Sequence, residues 1–343
     1  MRVPSPDRET EEKPSKAMAA PPVETVSAVI CTRNRGTRLS LALESLLRQT
    51  GIDPSRAEVI VVDNGSTDNT REVAEAFRSR MPFHFVIVQE PKVGLGNARN
   101  RGIDAARGDV VAFLDDDAVA GERWLAAHLA AYSYAENVGG VMGRIVPEWE
   151  APRPDWLDPA LEPFLTIVEY GDEPFLLDDR KLTPVGANMS FRHSALQDVG
   201  GFDPDFGFGG AKQIPHDEND LALRMYGRGW TMVYWPDAAV RHGVPAERMT
   251  IGWFRKRIID QGRADYYLDL KHCGRWAVLK RLVEAGTIRG PALGLASVLD
   301  LLLGNRRRAA RRGAAALGCA GYLLGFTKAL RALSSAREGK EWM

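Results

Sequence analysis

The sequence predicts an α/β protein in which helices cover both faces of a mostly parallel β-sheet. In the first third of the chain, four apolar segments of strand length alternate with segments of helical periodicity. These strands are apolar at nearly every position, which is typical of strands buried on both faces. Polar clusters follow three of them, at the carboxyl edge where such sheets bind their ligands.

Length and composition exclude several classes of protein. The 343 residues are enough for one large domain or two smaller ones. Residues 1–24 mix Pro, Ser and charges without an apolar period, so we expect a disordered tail, no signal peptide and a cytoplasmic location. Cys31, Cys273 and Cys319 lie far apart, which argues against a disulfide frame or a cysteine zinc site. We expect each to be a small buried residue.

The first two strands each end in polar residues. Residues 26–31 (VSAVIC) predict the first strand, which residues 32–35 (TRNR) follow. Residues 58–63 (EVIVVD) predict the second, ending in 64–68 (NGSTD), a cluster typical of a turn and helix cap. Leucines spaced three or four apart mark the buried face of the helix between them: Leu39, Leu43, Leu46 and Leu47.

Two further strands complete this half of the predicted sheet. Residues 84–88 (HFVIV) predict the third strand, and a glycine-bounded helix follows over roughly residues 95–106. Residues 109–114 (DVVAFL) predict the fourth strand. Because the strands are parallel, the polar residues after strands one, two and four meet at one edge.

Three adjacent carboxylates, Asp115, Asp116 and Asp117, follow the fourth strand. Carboxylates repel one another, and placing them beside an apolar strand costs free energy unless a cation accepts the charge. In extended backbone, residues two apart point the same way, so Asp115 and Asp117 can converge on one ligand while Asp116 faces elsewhere. A divalent metal is the simplest ligand. A solvated acidic loop is the alternative.

A dinucleotide-dependent dehydrogenase is the obvious competing class, because Asp63 stands where an acidic residue would hold a ribose. The dinucleotide fingerprint requires three glycines after the first strand, and residues 32–36 (TRNRG) contain one. The glycine pair in residues 94–96 (GLG) fits the start of a helix better than a pyrophosphate cradle. We therefore set this class aside.

Eight segments, in order, resemble a family-2 glycosyltransferase of the GT-A fold. The nucleotide-sugar half of that family is matched by residues 29–35 (VICTRNR), 59–68 (VIVVDNGSTD), 96–102 (GNARNRG) and 113–117 (FLDDD). The acceptor half is matched by residues 185–192 (VGANMSFR), 199–203 (VGGFD), 217–224 (DENDLALR) and 234–242 (YWPDAAVRH). The resemblance covers about residues 26–270 and implies a Rossmann-like, mostly parallel sheet with a C-terminal helical extension.

The resemblance implies a donor site for a nucleotide-diphosphate sugar. Asp63 would contact the base, with Asn34 and Arg99 in the same pocket, and Asp115 would contact the ribose. A carboxylate can accept the ring N–H of uracil, thymine or guanine, and an arginine can stack or pair with phosphate. A solvated helix charge for Arg99 and a plain turn residue for Asn34 remain open alternatives. The implied donor-binding set is Thr32, Arg33, Asn34, Asp63, Ser66, Arg99, Asp115 and Asp116.

The resemblance also implies a bound metal, Mn²⁺ or Mg²⁺, held by Asp117 and His242. Many relatives carry a further acidic residue where this chain has Ala118, so the metal would rely on fewer carboxylates here. Imidazole suits manganese better than magnesium. A hydrogen-bonded loop histidine is the alternative for His242.

The position of the general base depends on how residues 217–221 (DENDL) are aligned, because they depart from the family's usual order. Aligning on Asp220 places Asp217 at the family's Glu position and Glu218 at the position of the catalytic base. An acidic start of a helix is the alternative, because acids favour helix N-termini. The resemblance assigns the acceptor to Gly186, Ala187, Asn188 and Asp220.

These residues together imply metal-dependent transfer of a sugar to a hydroxyl acceptor, with inversion, in polysaccharide, glycolipid or natural-product assembly. The expected organisation is a donor half over residues 25–118, an acceptor and catalytic half over 119–247, and a basic helical region over 248–343. A nucleotidyltransferase and a non-catalytic sugar- or nucleotide-binding subunit are the alternatives. A glycoside hydrolase would leave the nucleotide-binding residues without a role.

The last 73 residues are strongly basic, with fourteen Lys and Arg against four Asp and Glu, although the whole chain has no net charge. Two apolar runs, residues 291–304 and 314–326, flank five arginines within residues 306–312. Each run is about 13 residues, and a membrane span needs about 20. The sequence therefore predicts peripheral binding to an anionic membrane, with a lipid-linked acceptor, or a helical cap over the acceptor site. No nucleic-acid reading element accompanies the charge.

Overall fold

The computed structural model describes residues 21–177, 182–207 and 215–338, with side chains described up to residue 330. Most of the tail predicted over residues 1–24 lies outside these ranges. The described chain is an α/β fold in which one sheet is covered by helices, with a helical region at the C-terminal end. The predicted fold class is confirmed.

The described residues contribute nine strands to one sheet, and the apolar runs predicted from the sequence form the first four. The strands are β1 (Val26–Thr32), β2 (Ala57–Asp63), β3 (His84–Gln89), β4 (Val110–Leu114), β5 (Ala118–Ala120), β6 (Val138–Trp149), β7 (Phe175–Leu176), β8 (Asn188–Arg192) and β9 (Thr231–Val244). Along the sheet the order is β3, β2, β1, β4, β8, β6, β9, β5, and β7 pairs with β9.

The first half of the sheet is parallel, and the second half is mixed. Strands β1 to β4 pair in parallel, with Thr32 level with Asp63, so their carboxyl ends share one edge. Strand β8 then pairs antiparallel to β4 and β6. The long strands β6 and β9 run parallel to each other. The two halves meet at β4, directly before the three aspartates.

The described chain contains ten α-helices. They are α1 (Gly36–Leu47), α2 (Thr70–Ala76), α3 (Leu95–Ala105), α4 (Trp124–Ala131), α5 (His193–Val199), α6 (Asp217–Gly227), α7 (Ile251–His272), α8 (Gly274–Val283), α9 (Gly290–Leu302) and α10 (Arg306–Glu338). Short 3₁₀ segments occupy Pro54–Arg56, Pro159–Leu165 and Ala246–Met249, and a π-helical turn, Glu284–Arg289, joins α8 to α9.

The core lies on both faces of the parallel strands. Every residue of β2 is buried, as a strand covered by helices on both sides requires. On one face α3 approaches β1 so closely that a Cβ at Gly102 would lie 2.4 Å from a methyl carbon of Val29. Glycine at this position therefore allows the close helix–sheet packing that positions the N-terminus of α3 at the carboxyl edge.

Helix α7 attaches the C-terminal helices to the sheet domain. Thr250 caps its N-terminus by accepting a hydrogen bond from the Trp253 amide at 3.2 Å. Glycines allow α10 to cross it at short distance: a Cβ at Gly262 would lie 2.2 Å from the Gly318 carbonyl oxygen, and one at Gly321 would lie 2.3 Å from that of Ile259. Larger residues at these positions would separate the two helices.

Two sequence expectations for the C-terminal region need correction. The second apolar run belongs to the 33-residue helix α10, so its length is no argument against a membrane span. By length and composition, residues 306–330 form the one candidate span in the described chain, and a single such helix is weak evidence. Cys273 is exposed rather than buried, because it lies at the junction of α7 and α8, and Cys31 and Cys319 are only partly buried.

Candidate functional site

The three aspartates form a turn between β4 and β5. The Ala118 amide donates to the Asp115 carbonyl at 3.1 Å, which reverses the chain after the buried end of β4. Strand β5 then pairs antiparallel with β9, with Ala118 opposite His242. This pairing brings a histidine 125 residues further along the chain next to the aspartates.

Asp115, Asp117 and His242 form a compact cluster in which one ligand atom of each lies within 4.8 Å of the others. The His242 Nε2 atom is 3.3 Å from Asp117 Oδ1. Asp116 faces elsewhere, accepting from the Thr32 hydroxyl at 2.8 Å and from Arg35 at 2.9 Å. The structure therefore brings together the three residues that the sequence analysis associates with the metal and ribose.

Within the cluster, the pKa of Asp115 is raised and the pKa of Asp117 is lowered. Burial, followed by the charge of Asp117, raises the pKa of Asp115 to about 6. Burial also disfavours the charged form of Asp117, but hydrogen bonding to His242 and the charges of His242, Arg35 and Arg248 hold its pKa well below its usual range. Asp117 is therefore the carboxylate that stays charged at every physiological pH.

Two carboxylates and an imidazole are a suitable donor set for Mn²⁺. The Nδ1 atom of His242 is buried and has no hydrogen-bond partner among the described residues. The Nε2 atom faces Asp117, so it is the ring nitrogen placed to join the two carboxylates on a cation. The residues present therefore fit a divalent cation.

A cavity of about 550 Å³ opens over the cluster. The carboxyl edge of the sheet forms one wall, and the start of α3, after Gly94, forms another. Helix N-termini present free amides and suit anions such as phosphate. The cavity is lined by Cys31, Thr32, Arg33, Arg35, Asn64, Val93, Gly94, Leu95, Ala98, Asp115, Asp116, Asp117, Phe164, Thr166, His242, Arg248, Trp253 and Arg257.

Three residues assigned to the donor, Asn34, Asp63 and Ser66, lie on two loops that are hydrogen-bonded to each other. None of the three lines the cavity itself. The Asn34 side chain accepts from the Thr67 amide at 2.7 Å, and its backbone amide donates to the Ser66 hydroxyl at 3.0 Å. Asp63 accepts from the Ser66 amide at 2.9 Å. Asn34 has φ 55°, a left-handed conformation that asparagine tolerates. Thr32 and Arg33 do line the cavity.

Arg99 does not lie where the sequence interpretation expected it. It is 3% exposed, forms an ion pair with Asp217 and lies 3.9 Å from Glu218. Its guanidinium also stacks over the Phe202 ring at 5.2 Å. Two carboxylates at the start of a buried helix need a cation nearby, and Arg99 supplies it, so this side chain is not available to stack on a base.

Asp217 and Glu218 start α6 and have opposite protonation behaviour. Burial raises the pKa of Asp217, but the Arg99 charge and a hydrogen bond with Glu218 hold it below its usual range. Burial, followed by the charge of Asp217 and a hydrogen bond with it, raises the pKa of Glu218 to about 8. A carboxylate with a raised pKa is a stronger proton acceptor once it is ionised, so a general base with this pKa would become more active as the pH rises toward 8.

Two residues assigned to the acceptor are buried and saturated with protein contacts. Asn188 is fully buried: its oxygen accepts from Trp124 at 2.7 Å and lies 3.1 Å from His128, and its amide donates to two backbone carbonyls. Asp220 is also fully buried and pairs with Lys271 at 2.6 Å and with His272 at 2.8 Å. Neither side chain is placed to contact an acceptor, because the fold itself occupies its polar groups.

The other two acceptor-assigned residues support Arg99 and the aspartate turn. A Cβ at Gly186 would lie 2.4 Å from the Arg99 guanidinium, so only glycine leaves room for that side chain. The Ala187 carbonyl accepts from the Asp115 amide at 3.3 Å. Both act through neighbouring site residues.

The C-terminal region also lines the cavity, through Arg248, Trp253 and Arg257, and none of the sequence-based predictions includes this. In the first half of the chain, Arg35 and Arg38 pair with Asp117 at 3.2 and 3.0 Å. The spacing of Trp253 and Arg257, four residues apart on one helix face, is the only local indication. The proximity of that face to the sheet edge depends on tertiary packing.

Sequence comparison identifies the family. Residues 27–200, about half of the chain, match the model of glycosyl transferase family 2. Glucosyl-dolichyl phosphate glucuronosyltransferase of Haloferax volcanii is 28% identical over 250 residues, covering 71% of this chain and 77% of the relative. The succinoglycan biosynthesis protein ExoM of Rhizobium meliloti is 27% identical over 239 residues, covering 68% and 72%.

Structural comparison agrees with this assignment at the level of the fold. A mannosyltransferase from Pyrobaculum calidifontis, solved with GDP-Man and Mn²⁺, superposes with a TM-score of 0.58 at 18% identity, covering 91% of this chain and 90% of that one. The described fold is thus a GT-A fold. From the family match and the glycosyltransferase relatives, the chain is a glycosyltransferase and belongs to glycosyl transferase family 2.

Proposed function

We propose that this chain transfers a sugar from a nucleotide-diphosphate donor to a hydroxyl acceptor in a metal-dependent, inverting reaction. The observation that carries the proposal is the convergence of Asp115, Asp117 and His242 in the cavity at the sheet edge. Mn²⁺ and a nucleotide sugar occur together in the mannosyltransferase with the same fold, which supports this assignment.

Asp117, His242 and Asp115 would hold Mn²⁺ or Mg²⁺ in this proposal. The bound metal would supply Lewis acidity toward the departing diphosphate. Arg33, Arg35, Arg248 and Arg257 line the same cavity and add positive charge for a diphosphate. The loops that contain Asp63, Ser66 and Asn34 would contact the base, and Thr32 with Asp116 would fix the turn that presents Asp115.

Glu218 is the proposed general base for the acceptor hydroxyl. Asp217 is neutralised by Arg99, whereas the side chain of Glu218 remains 22% exposed and has the higher pKa. A single displacement needs one base and no carboxylate nucleophile, so inversion follows. The order of the acids along the chain thus matches a division of roles: Asp217 orients Arg99, and Glu218 accepts the proton.

We further propose a lipid-linked acceptor and peripheral attachment to the cytoplasmic face of an anionic membrane. The Haloferax relative is named for a dolichyl phosphate substrate, which supports a lipid-linked acceptor. Several large apolar side chains of the C-terminal helices are exposed, which supports attachment: Trp276, Leu279, Val283, Ile288, Leu295, Val298, Leu299 and Leu302. ExoM supports polysaccharide assembly as the alternative setting.

The direct test is turnover of nucleotide sugars with Mn²⁺ by wild type, Glu218→Gln and Asp217→Asn, measured as release of the nucleoside diphosphate. Glu218→Gln should lower turnover by roughly 10²–10⁴-fold, with donor affinity nearly unchanged, because only proton transfer is lost. The surface variant Glu75→Gln is the matched control and should behave as wild type. Retention of turnover in Glu218→Gln would exclude it as the base.

A further inference from the structure

A second cavity, of about 640 Å³, lies among the C-terminal helices and is hereafter called the apolar cavity. None of its lining residues lines the cavity of about 550 Å³ at the sheet edge, which is hereafter called the donor cavity after its proposed ligand. Helix α7 separates the two: Trp253 and Arg257 face the donor cavity, whereas Phe254 and Ile258 face the apolar cavity. Its volume is within the range of sites that bind small molecules.

The walls of the apolar cavity are suited to a hydrocarbon chain. Aromatic and branched side chains surround it, and small residues of α10 at positions 309, 310, 313 and 314 leave the space open. Its rim includes Ile251 and Leu301, which are 61% and 60% exposed. A cavity rimmed by exposed apolar side chains is accessible to a ligand that is itself apolar.

Positively charged side chains form part of the lining of this cavity. Arg255 and Arg306 line it, and Arg306 also lines an adjoining hollow with Arg307, Arg308 and Arg311. Asp155 lies at the same place, and its carbonyl accepts from Arg307 at 3.0 Å. Guanidinium groups match the geometry of phosphate oxygens, and four of them exceed the charge of the acids beside them, Asp155 and Asp158.

We propose that the apolar cavity binds the hydrocarbon chain of a phosphate-bearing lipid whose phosphate lies against Arg255 and Arg306. The juxtaposition of an apolar cavity, an exposed apolar rim and a cluster of arginines matches the two parts of such a molecule. This site is distinct from the metal cluster and the donor cavity. It therefore adds a lipid-binding site to the proposed transfer reaction and can be tested without turnover.

The test is calorimetric titration of the full chain with butyl, hexyl, octyl and decyl phosphate below their micelle concentrations. Affinity should rise by up to about fourfold per added methylene, because each is buried, and level off once the cavity is full. Inorganic phosphate tests the phosphate group alone, and decanol tests the hydrocarbon chain alone. Each should bind at least tenfold more weakly than decyl phosphate. An affinity independent of chain length, or equal for inorganic phosphate, would overturn the proposal.

Variants locate the binding. Ala310→Phe fills the cavity and Ile251→Glu places a carboxylate at its exposed rim, so each should weaken decyl phosphate binding at least tenfold. Arg306→Gln should weaken it about five- to tenfold. Lys256→Gln, an exposed neighbour outside the cavity, is the matched control and should bind as wild type. Unchanged binding in Ile251→Glu and Ala310→Phe, with wild-type melting temperatures, would exclude this cavity.

Discussion

At the scale of single residues, Asp217 and Glu218 show that two neighbouring buried carboxylates can have very different pKa values when a buried cation pairs with only one of them. Arg99 pairs with Asp217 and only approaches Glu218 at 3.9 Å. Burial and the charge of Asp217 raise the pKa of Glu218 to about 8, and the weaker effect of Arg99 does not offset them, whereas Arg99 holds the pKa of Asp217 below its usual range. A charged Glu218 is thus destabilising in the folded protein, which is a common cost of a reactive side chain.

This cost predicts that Glu218→Gln is more stable than wild type at high pH. The unfolded chain loses the Glu218 proton near pH 4.5, whereas the folded chain keeps it up to about pH 8. Wild-type stability therefore falls as pH rises between these values, and the loss is complete above pH 8. By urea unfolding, the variant should be more stable by up to about 5 kcal/mol at pH 9 and nearly equal at pH 4.

A constant difference between the two proteins across this range would contradict the raised pKa of Glu218. Glu75→Gln, in an exposed ion pair with Arg78, provides the control. It should leave the free energy of unfolding as in wild type at both pH values, because an exposed ion pair contributes little to stability.

At the scale of elements, α6 carries the acid pair and α7 holds it in place. Asp220 on α6 is fully buried and pairs with Lys271 and His272 near the end of α7. The Nε2 atom of His216, just before α6, lies 2.9 Å from the Oδ1 atom of Asp265 on α7. The C-terminal region is therefore attached to α6 by polar contacts that include the fully buried Asp220, and it also lines the cavity at the sheet edge.

We expect Asp220→Asn to loosen this attachment and to destabilise the protein by about 3 kcal/mol at pH 7, because it removes the buried carboxylate that Arg224 and Lys271 both contact. The partner charges lower the pKa of Asp220 to about 2 despite its burial. Its contribution is therefore fully present above about pH 4 and is lost as pH falls toward 2. Urea unfolding at pH 7, 5 and 3 should show a smaller deficit only at pH 3.

The exposed Asp237→Asn is the matched control and should show no deficit at any of these pH values. An Asp220→Asn deficit that persisted undiminished at pH 3 would show that the loss arises from packing and not from the charge.

The same scale shows why the sequence predicts some features and not others. Strands β1 to β4 are apolar runs ended by polar caps, and both signals are local, so their positions differ from prediction by one residue at most. The link between Asp117 and His242 depends on the β5–β9 register, and the burial of Arg99 depends on a residue 118 positions away. The Asp117–His242 link was predictable only from the family resemblance, and the burial of Arg99 was not predictable from the sequence.

At the scale of the whole molecule, charge and apolar exposure coincide in the C-terminal helices. Trp276 is 84% exposed, and it belongs to a region with ten more basic than acidic residues. Basic residues near an anionic bilayer contribute about 1 kcal/mol each, screened by salt, and inserted apolar side chains add to this. The combination supports the proposed membrane attachment of the C-terminal helices.

We expect co-sedimentation with anionic liposomes to be strong, and with neutral liposomes to be weak. Glutamine at Arg306, Arg307, Arg308 and Arg311 should reduce it, whereas Arg312 is kept because it pairs with the buried Asp300 at 2.8 Å. A control that removes Arg71, Lys92 and Arg101, which are exposed on the sheet domain, should not reduce it. Equal, negligible pelleting with both lipids would leave the C-terminal helices as a cap on the acceptor site.

The central claim is that Asp115, Asp117 and His242 bind a metal that is required for the donor. Calorimetric titration with UDP, GDP and dTDP, with Mn²⁺ and then with EDTA, tests it most directly. At least one nucleotide should bind with Mn²⁺ and lose its affinity in EDTA and in Asp117→Asn, while the exposed Asp104→Asn binds as wild type. Nucleotide affinity unaffected by EDTA and by Asp117→Asn would contradict the claim.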